Sequence, residues 1–171
     1  DLKHLHRTIL QSRTYQQSAK TNATNRTDTT NYASFYLRRM PAEVLVDAVN
    51  HATGGNETYP PKLYLPADAR AVEVAGGTGS ERARATLQYA FQIFGRPMRS
   101  GDVQCDCERD TKPTIVQTLY LTNHPAVQQK IAAPKGRVAQ IVKDITDDGK
   151  RIEELFLWTL SRMPTEEERQ T

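Results

Sequence analysis

A chain of 171 residues and 19.3 kDa has room for a hydrophobic core, but only 37% of its residues are hydrophobic and its mean hydropathy is -0.65. No apolar run approaches the roughly 20 residues of a membrane helix, so no membrane span is expected in this segment. The net charge of +3, from 23 basic and 20 acidic residues, is too balanced to argue for nucleic acid, and two cysteines exclude both a disulfide-dense scaffold and a four-cysteine zinc site.

The chain is helical in pattern from its first residues. Leu2, Leu5, Ile9 and Leu10 keep the spacing of one helix face, which predicts a helix from Leu2 to Ser18 with a break near Ser12. The stretch from Thr21 to Thr30 is almost entirely Asn, Thr and Asp and reads as an exposed loop. Pro41 opens a helix with Val44, Leu45, Ala48, Val49 and Ala52 as its stripe, closed by Gly54-Gly55. Between Gly54 and Ser80 no helical period is visible, and Ala71-Val72-Glu73-Val74 reads as a short strand. Ser80 starts the next helix, with Ala83, Leu87, Ala90, Phe91 and Phe94 on its face and Gly95 and Pro97 as its stop. After a second long loop, Thr111 or Lys112 precedes Pro113 as a helix start, with Ile115, Val116, Leu119 and Tyr120 as the buried face. Pro125 begins a short helix to Ala132, and Val138, Ile141, Val142 and Ile145 mark another after Gly136. Asp147-Asp148-Gly149 caps the last full helix, which carries Ile152, Leu155, Phe156 and Leu160 on one face and Trp158 on its flank.

The sum is an all-α class: a compact bundle of six or seven helices with two long loops and room for one short hairpin. Pro164-Thr165 followed by Glu166, Glu167 and Glu168 opens one more helix, with Thr165 as cap and an acidic first turn that suits the helix dipole. Residues 1–171 are therefore expected to be a single helical domain excised from a longer multidomain protein.

The sharpest local feature is Cys105-Asp106-Cys107-Glu108-Arg109. Cysteines two apart in a loop can pack as thiols and pin the loop, close a strained disulfide, or offer two ligands to a soft metal. His4, His6, His51 and His124 do not complete a zinc signature with them. Arg96, Arg99 and Arg109 could hold a carboxylate, phosphate or sulfate, but Asp102, Asp106, Glu108 and Asp110 stand among them and favour an internal ion-pair network. Arg38 and Arg39, placed just before a helix N-terminus, are expected to point to partners. Glu43 and Asp47 share one helix face, the arrangement acid–base chemistry requires, although exposed acidic pairs are common. His6 lies on the apolar stripe and reads as a hydrogen-bonded packing histidine. No nucleophile elbow, phosphate-binding loop, zincin helix or haem-attachment motif occurs, so no cofactor is expected in this segment. Three Asn-x-Thr triplets, at Asn22, Asn25 and Asn56, fit the N-glycosylation pattern, which carries meaning only in a eukaryotic secretory context.

Several short strings taken in order carry a resemblance. They are Ser12-Arg13-Thr14-Tyr15-Gln16 with Ser18; Arg38-Arg39-Met40-Pro41-Ala42-Glu43-Val44 with Asp47-Ala48; Phe94-Gly95-Arg96-Pro97 with Arg99; Cys105-Asp106-Cys107-Glu108-Arg109; Gln117-x-Leu119-x-Leu121-x-Asn123; and Leu160-Ser161-Arg162-Met163-Pro164-Thr165 with Glu167. The set resembles the C-terminal domain of planctomycete-type cytochrome c proteins, domain of unknown function 1553. The resemblance implies a bacterial, exported, multidomain parent, periplasmic or extracellular, with haem only in a neighbouring cytochrome c domain. It supplies no catalytic residues. In an oxidising compartment the disulfide and metal-bound states of Cys105 and Cys107 gain weight.

The expected function is that of a helical accessory domain of an exported cytochrome c-associated protein. Its partners would be neighbouring domains, with no nucleic acid. An enzyme domain acting on polysaccharide or another anionic substrate, through a cleft lined by Arg38, Arg39, Glu43, Arg96 and Arg99, is the alternative. A plain protein-interaction module is the third reading.

Overall fold

The computed structural model describes residues 1–55, 66, 68–74, 85–96 and 112–170. Among the described residues the chain is all-α, with eight α-helices, one 3-10 turn and no strand. The helices are α1 (Leu2–Gln11), α2 (Ala42–Thr53), α3 (Ala85–Ile93), α4 (Ile115–Asn123), α5 (Pro125–Ile131), α6 (Arg137–Asp144), α7 (Asp148–Leu160) and α8 (Glu166–Gln170). The chain divides into two units, residues 1–39 and residues 40–171.

In the first unit, α1 starts on the Asp1 carboxylate, which accepts from the Lys3 N–H at 2.9 Å. It ends at Gln11 with Ser12 as its cap, whose hydroxyl donates to the Ile9 carbonyl at 2.7 Å, and residues 13–18, expected to continue the helix after a break, are turn and irregular backbone. His6 is hydrogen-bonded as expected, its Nδ1 2.7 Å from the Leu2 carbonyl, but it is exposed rather than packed. The Asn- and Thr-rich loop is exposed yet ordered by its own side chains. The Asn22 carboxamide oxygen accepts from the N–H groups of Thr24 and Asn25, and Asn25 Nδ2 donates to the Ala33 carbonyl at 3.1 Å. The Asp28 carboxylate accepts from the N–H groups of Thr30, Asn31 and Ala33. These are local turn bonds of the kind that favour Asn and Asp outside helices. No hydrophobic side chain of this unit is buried.

The second unit is organised around α2, which packs against the 3-10 turn (Ala71–Glu73) and against α3, α5, α6 and α7. Its core consists of Ala42, Val46, Ala71, Leu87, Ala90, Phe91 and Phe94. The buried positions of α2 are Ala42, Glu43, Val46, Asn50 and Thr53, not the predicted stripe, and Val44 is exposed. The expected strand at Ala71–Val74 is instead the 3-10 turn, because Asp47 captures two of its backbone N–H groups. On α3, Leu87, Ala90, Phe91 and Phe94 are buried as expected, while Ser80 and Ala83 lie outside the described residues.

Helix α4 departs most from its pattern. It begins after Pro113, on a Thr114–Gln117 capping box, and Ile115 (76% exposed), Val116 and Leu119 are exposed. The residue it buries is Gln117, whose Nε2 donates to the Ile93 carbonyl at 2.9 Å and so ties the end of α3 to the start of α4.

Two glycines are required by close approach. Gly54 ends α2 at φ 70°, and a Cβ there would lie 3.0 Å from the Arg137 nitrogen. A Cβ on Gly136 would lie 3.1 Å from the Thr53 carbonyl, so the end of α2 and the start of α6 meet only because both positions lack one. Arg151 then fastens the α6–α7 joint, donating from Nε to the Ile145 carbonyl at 2.6 Å and from Nη2 to the Val142 carbonyl at 3.1 Å. No described helix is long and apolar enough to cross a membrane.

Candidate functional site

The pair Glu43 and Asp47, one turn apart on α2, does share a face as the spacing requires, but that face is turned inward. The Glu43 and Arg96 side chains are only 9% and 14% exposed, and Arg96 Nε lies 3.0 Å from Glu43 Oε1. Arg96 also donates from Nη2 to the Val74 carbonyl at 2.7 Å, and its guanidinium sits 4.4 Å above the centre of the Phe91 ring. One guanidinium thus joins α2, the segment after the 3-10 turn, and α3. Gly95 at φ 79° turns the chain after α3 so that Arg96 can reach back.

Asp47 works on the other side of the same joint. Its carboxylate accepts from the Ala71 N–H at 2.6 Å and from the Val72 N–H at 3.2 Å, capping the 3-10 turn, and Arg70 Nε stands 3.6 Å away. A carboxylate on unsatisfied N–H groups at a helical start is a capping device. Glu43 thus holds a buried cation, and Asp47 holds backbone N–H groups beside the exposed Arg70. The pair is therefore interior and bonded rather than exposed.

The sequence marked Arg96 as part of an ion-pair network with Asp102, Asp106, Glu108 and Asp110. Its described partner is Glu43, distant in sequence. Arg99, Cys105, Cys107 and Arg109 lie outside the described residues. Arg38 and Arg39 belong to the first unit, where Arg38 is exposed and Arg39 half-buried. Among the described residues no group of three or more His, Cys, Asp or Glu side chains could hold a metal ion.

Two features had no signal in the hydrophobic pattern. An apolar cavity of about 60 Å³ lies in the second unit, lined by Leu45, Val49, Leu87, Phe94, Tyr120 and Val127 among others, with Lys130 at its side. That is far below the roughly 300 Å³ of the smaller ligand pockets. Lys130 Nζ donates a short hydrogen bond to the buried Asn50 carboxamide, which fixes α5 to α2. Beside the cavity, Tyr120 stacks on His124 at 4.4 Å, meets Phe94 edge-on at 5.7 Å and lies 6.0 Å from Tyr89. On the far side of α2, Trp158 of α7 lies between the Arg137 guanidinium, 3.4 Å from its ring centre, and His51 at 5.0 Å.

Several residues of the described strings that carried the resemblance fall on joints of the structure. Ser12 closes α1, Glu43 and Asp47 bind the segments that reach α2, Arg96 and Gln117 tie α3 to its neighbours, and Arg162 clamps the start of α8. A family model described as PSD1, protein of unknown function (DUF1553), matches residues 1–171, and the chain belongs to that family. Searches of curated proteins and of solved structures return no match.

Proposed function

We propose that this chain is a helical accessory module of an exported, cytochrome c-associated protein, acting by docking to neighbouring domains rather than by chemistry of its own. The observation that carries the reading is the state of Glu43, Asp47 and Arg96. Glu43 and Arg96 were expected to line a catalytic cleft and Asp47 to share a face with Glu43, and all three are bonded into the joint that holds α2, α3 and the 3-10 turn together. Catalytic acids need to reach a substrate proton, and among the described residues these reach Arg96 and the 3-10 turn. The family membership supports a domain without assigned chemistry. The cytochrome association and export come from the resemblance of the ordered strings, and haem would sit in a neighbouring domain.

The test has two arms on the 171-residue chain. Titration with the haem-bearing domain of its parent protein is expected to give saturable binding, read by calorimetry. Incubation with soluble polysaccharides is expected to release no reducing ends. Release of reducing ends that disappears in a folded Glu43→Gln variant would overturn the reading in favour of an enzyme. Absence of any binding would remove the docking role.

A further inference from the structure

The first unit differs from the second in charge and in the apolar side chains it exposes. Charge is divided unevenly along the chain. Residues 1–39 contain seven basic side chains (Lys3, Arg7, Arg13, Lys20, Arg26, Arg38, Arg39) and two acidic ones (Asp1, Asp28), a net +5, whereas the whole chain carries +3 and residues 40–171 therefore carry -2. Both acids of the first unit are engaged with backbone, Asp1 at the start of α1 and Asp28 on three loop N–H groups.

The same unit exposes its apolar residues. Leu2 (72% exposed), Leu5, Ile9 and Leu10 lie on one side of α1, which buries no residue. At 100° per residue they span an arc of about 140° that also contains His6, bonded to the Leu2 carbonyl, with Lys3 and Arg7 following at one border. Tyr15, Tyr32, Phe35 and Leu37 are exposed as well, so apolar exposure is spread across the unit rather than confined to a groove-sized stripe. A short amphipathic helix of low overall hydrophobicity, bordered by Lys and Arg and accompanied by exposed aromatic rings, is built to lie in a headgroup region, not to cross it.

We infer that residues 1–39 form a peripheral docking surface for anionic lipid, with α1 lying in the interface plane. The excess positive charge chooses the anionic bilayer, and the aliphatic side of α1 supplies the shallow insertion. Nucleic acid would use the cations and leave the aliphatic arc in water. An acidic protein groove is the competing occupant, and a chain built for it stays in the supernatant with anionic vesicles. This inference does not rest on the docking role proposed above, and the two tests share no readout.

The experiment is co-sedimentation of the full chain with phosphatidylcholine vesicles, with and without phosphatidylglycerol, at low and high salt. The chain is expected to pellet with the anionic vesicles at low salt, to be released by salt, and to ignore pure phosphatidylcholine. Lys3→Gln with Arg7→Gln should weaken partitioning about 25-fold, about fivefold for each charge. Leu5→Asp with Ile9→Asp should weaken it at least about tenfold. Val142→Asp, at an exposed position of the second unit, should change nothing. A chain that stays in the supernatant with anionic vesicles at low salt overturns the inference, as does equal binding to pure phosphatidylcholine. So does a Val142→Asp loss as large as that of the α1 variants. Circular dichroism confirms that each variant is folded, and the vesicle and salt comparisons on the unaltered chain decide the question without any variant.

Discussion

The two units are held together by different physics. Residues 1–39 owe their order to polar side chains closing local turns, with Asn22, Asn25 and Asp28 binding nearby backbone, and no hydrophobic side chain is buried. Residues 40–171 are built on Phe91, Phe94, Leu87 and Val46, with Glu43, Asn50 and Gln117 set into or beside that core on specific partners. Hydrogen bonds exposed to water stabilise by about 0.5–1.5 kcal/mol each, and burying a large side chain by about 1.5–3 kcal/mol. The contrast teaches that the second unit should unfold cooperatively, while the first should open in small independent steps.

The largest effects are expected at the centre of the second unit. Phe94→Ala removes a ring that is 4% exposed and should cost about 3–5 kcal/mol in urea unfolding of that unit. Glu43→Ala leaves the Arg96 guanidinium inside without its carboxylate and should cost a similar 3–5 kcal/mol. Amide exchange across residues 1–39 should be nearly unchanged by either. A loss below about 1 kcal/mol at Glu43 would mean that the ion pair contributes nothing net, and the comparison would then reduce to apolar packing alone.

The positions of the second unit's helices were legible from the sequence because their ends carry direct signals: Pro41, Gly54, Pro125, Gly136, Asp147 and Thr165 all stand where helices start or stop. Their inward faces were not. Hydrophobic periodicity finds the core face only when the core face is apolar, and α2 turns Glu43, Asn50 and Thr53 inward while α4 turns in Gln117. Glu43, Asn50 and Gln117 find partners from elsewhere in the chain, Arg96, Lys130 and the Ile93 carbonyl, which leave no local trace, while Thr53 donates back to the Val49 carbonyl of its own helix. The candidate site was legible to the same extent. The i, i+4 spacing placed Glu43 and Asp47 together correctly, but nothing near them in sequence said that a guanidinium and a 3-10 turn would occupy both. In the first unit, composition predicted exposure correctly and missed order, because an Asx turn needs one side chain and three residues, not a period.

An intermediate effect is expected in the first unit. Asp28→Ala removes the acceptor for the N–H groups of Thr30, Asn31 and Ala33 at once. Because the segment is exposed, water replaces those bonds, and the urea midpoint of the second unit should not move. The amides of Thr30, Asn31 and Ala33 should lose their exchange protection, and those of α2 should keep theirs. Hydrogen exchange by mass spectrometry resolves the two. Loss of protection in α2 as well would show that the units are not independent in stability. The Asp28 carboxyl is held below its ordinary range by the N–H groups of Asn31 and Ala33, so acid should mimic the variant.

The smallest effect separates unit from mechanism. Helix α8 belongs to the second unit but buries nothing; its start is held by local polar bonds like those of the first, and Arg169 Nη1 adds an ion pair to Glu153 of α7 at 2.7 Å. Arg162 grips both carboxylate oxygens of Glu168, at 2.8 and 2.7 Å, while Glu168 Oε2 accepts from the Thr165 N–H at 2.9 Å. The Arg162 hydrogen bonds first, and the Thr165 N–H next, bring the Glu168 carboxyl down to about 2. A lowered carboxyl contributes its stability above the unfolded value, near 4.5, and loses it as the pH falls toward about 2. Exchange of the α8 amides should therefore be slower in the native chain than in Glu168→Gln at neutral pH, and the difference should shrink below about pH 4.5 and vanish as the pH falls through about 2. A difference that persists there would mean that the carboxamide fails for reasons of shape, not charge. If it vanishes on schedule, the way a segment is held follows its exposure rather than the unit it belongs to, and α8 behaves like the turns of residues 22–33.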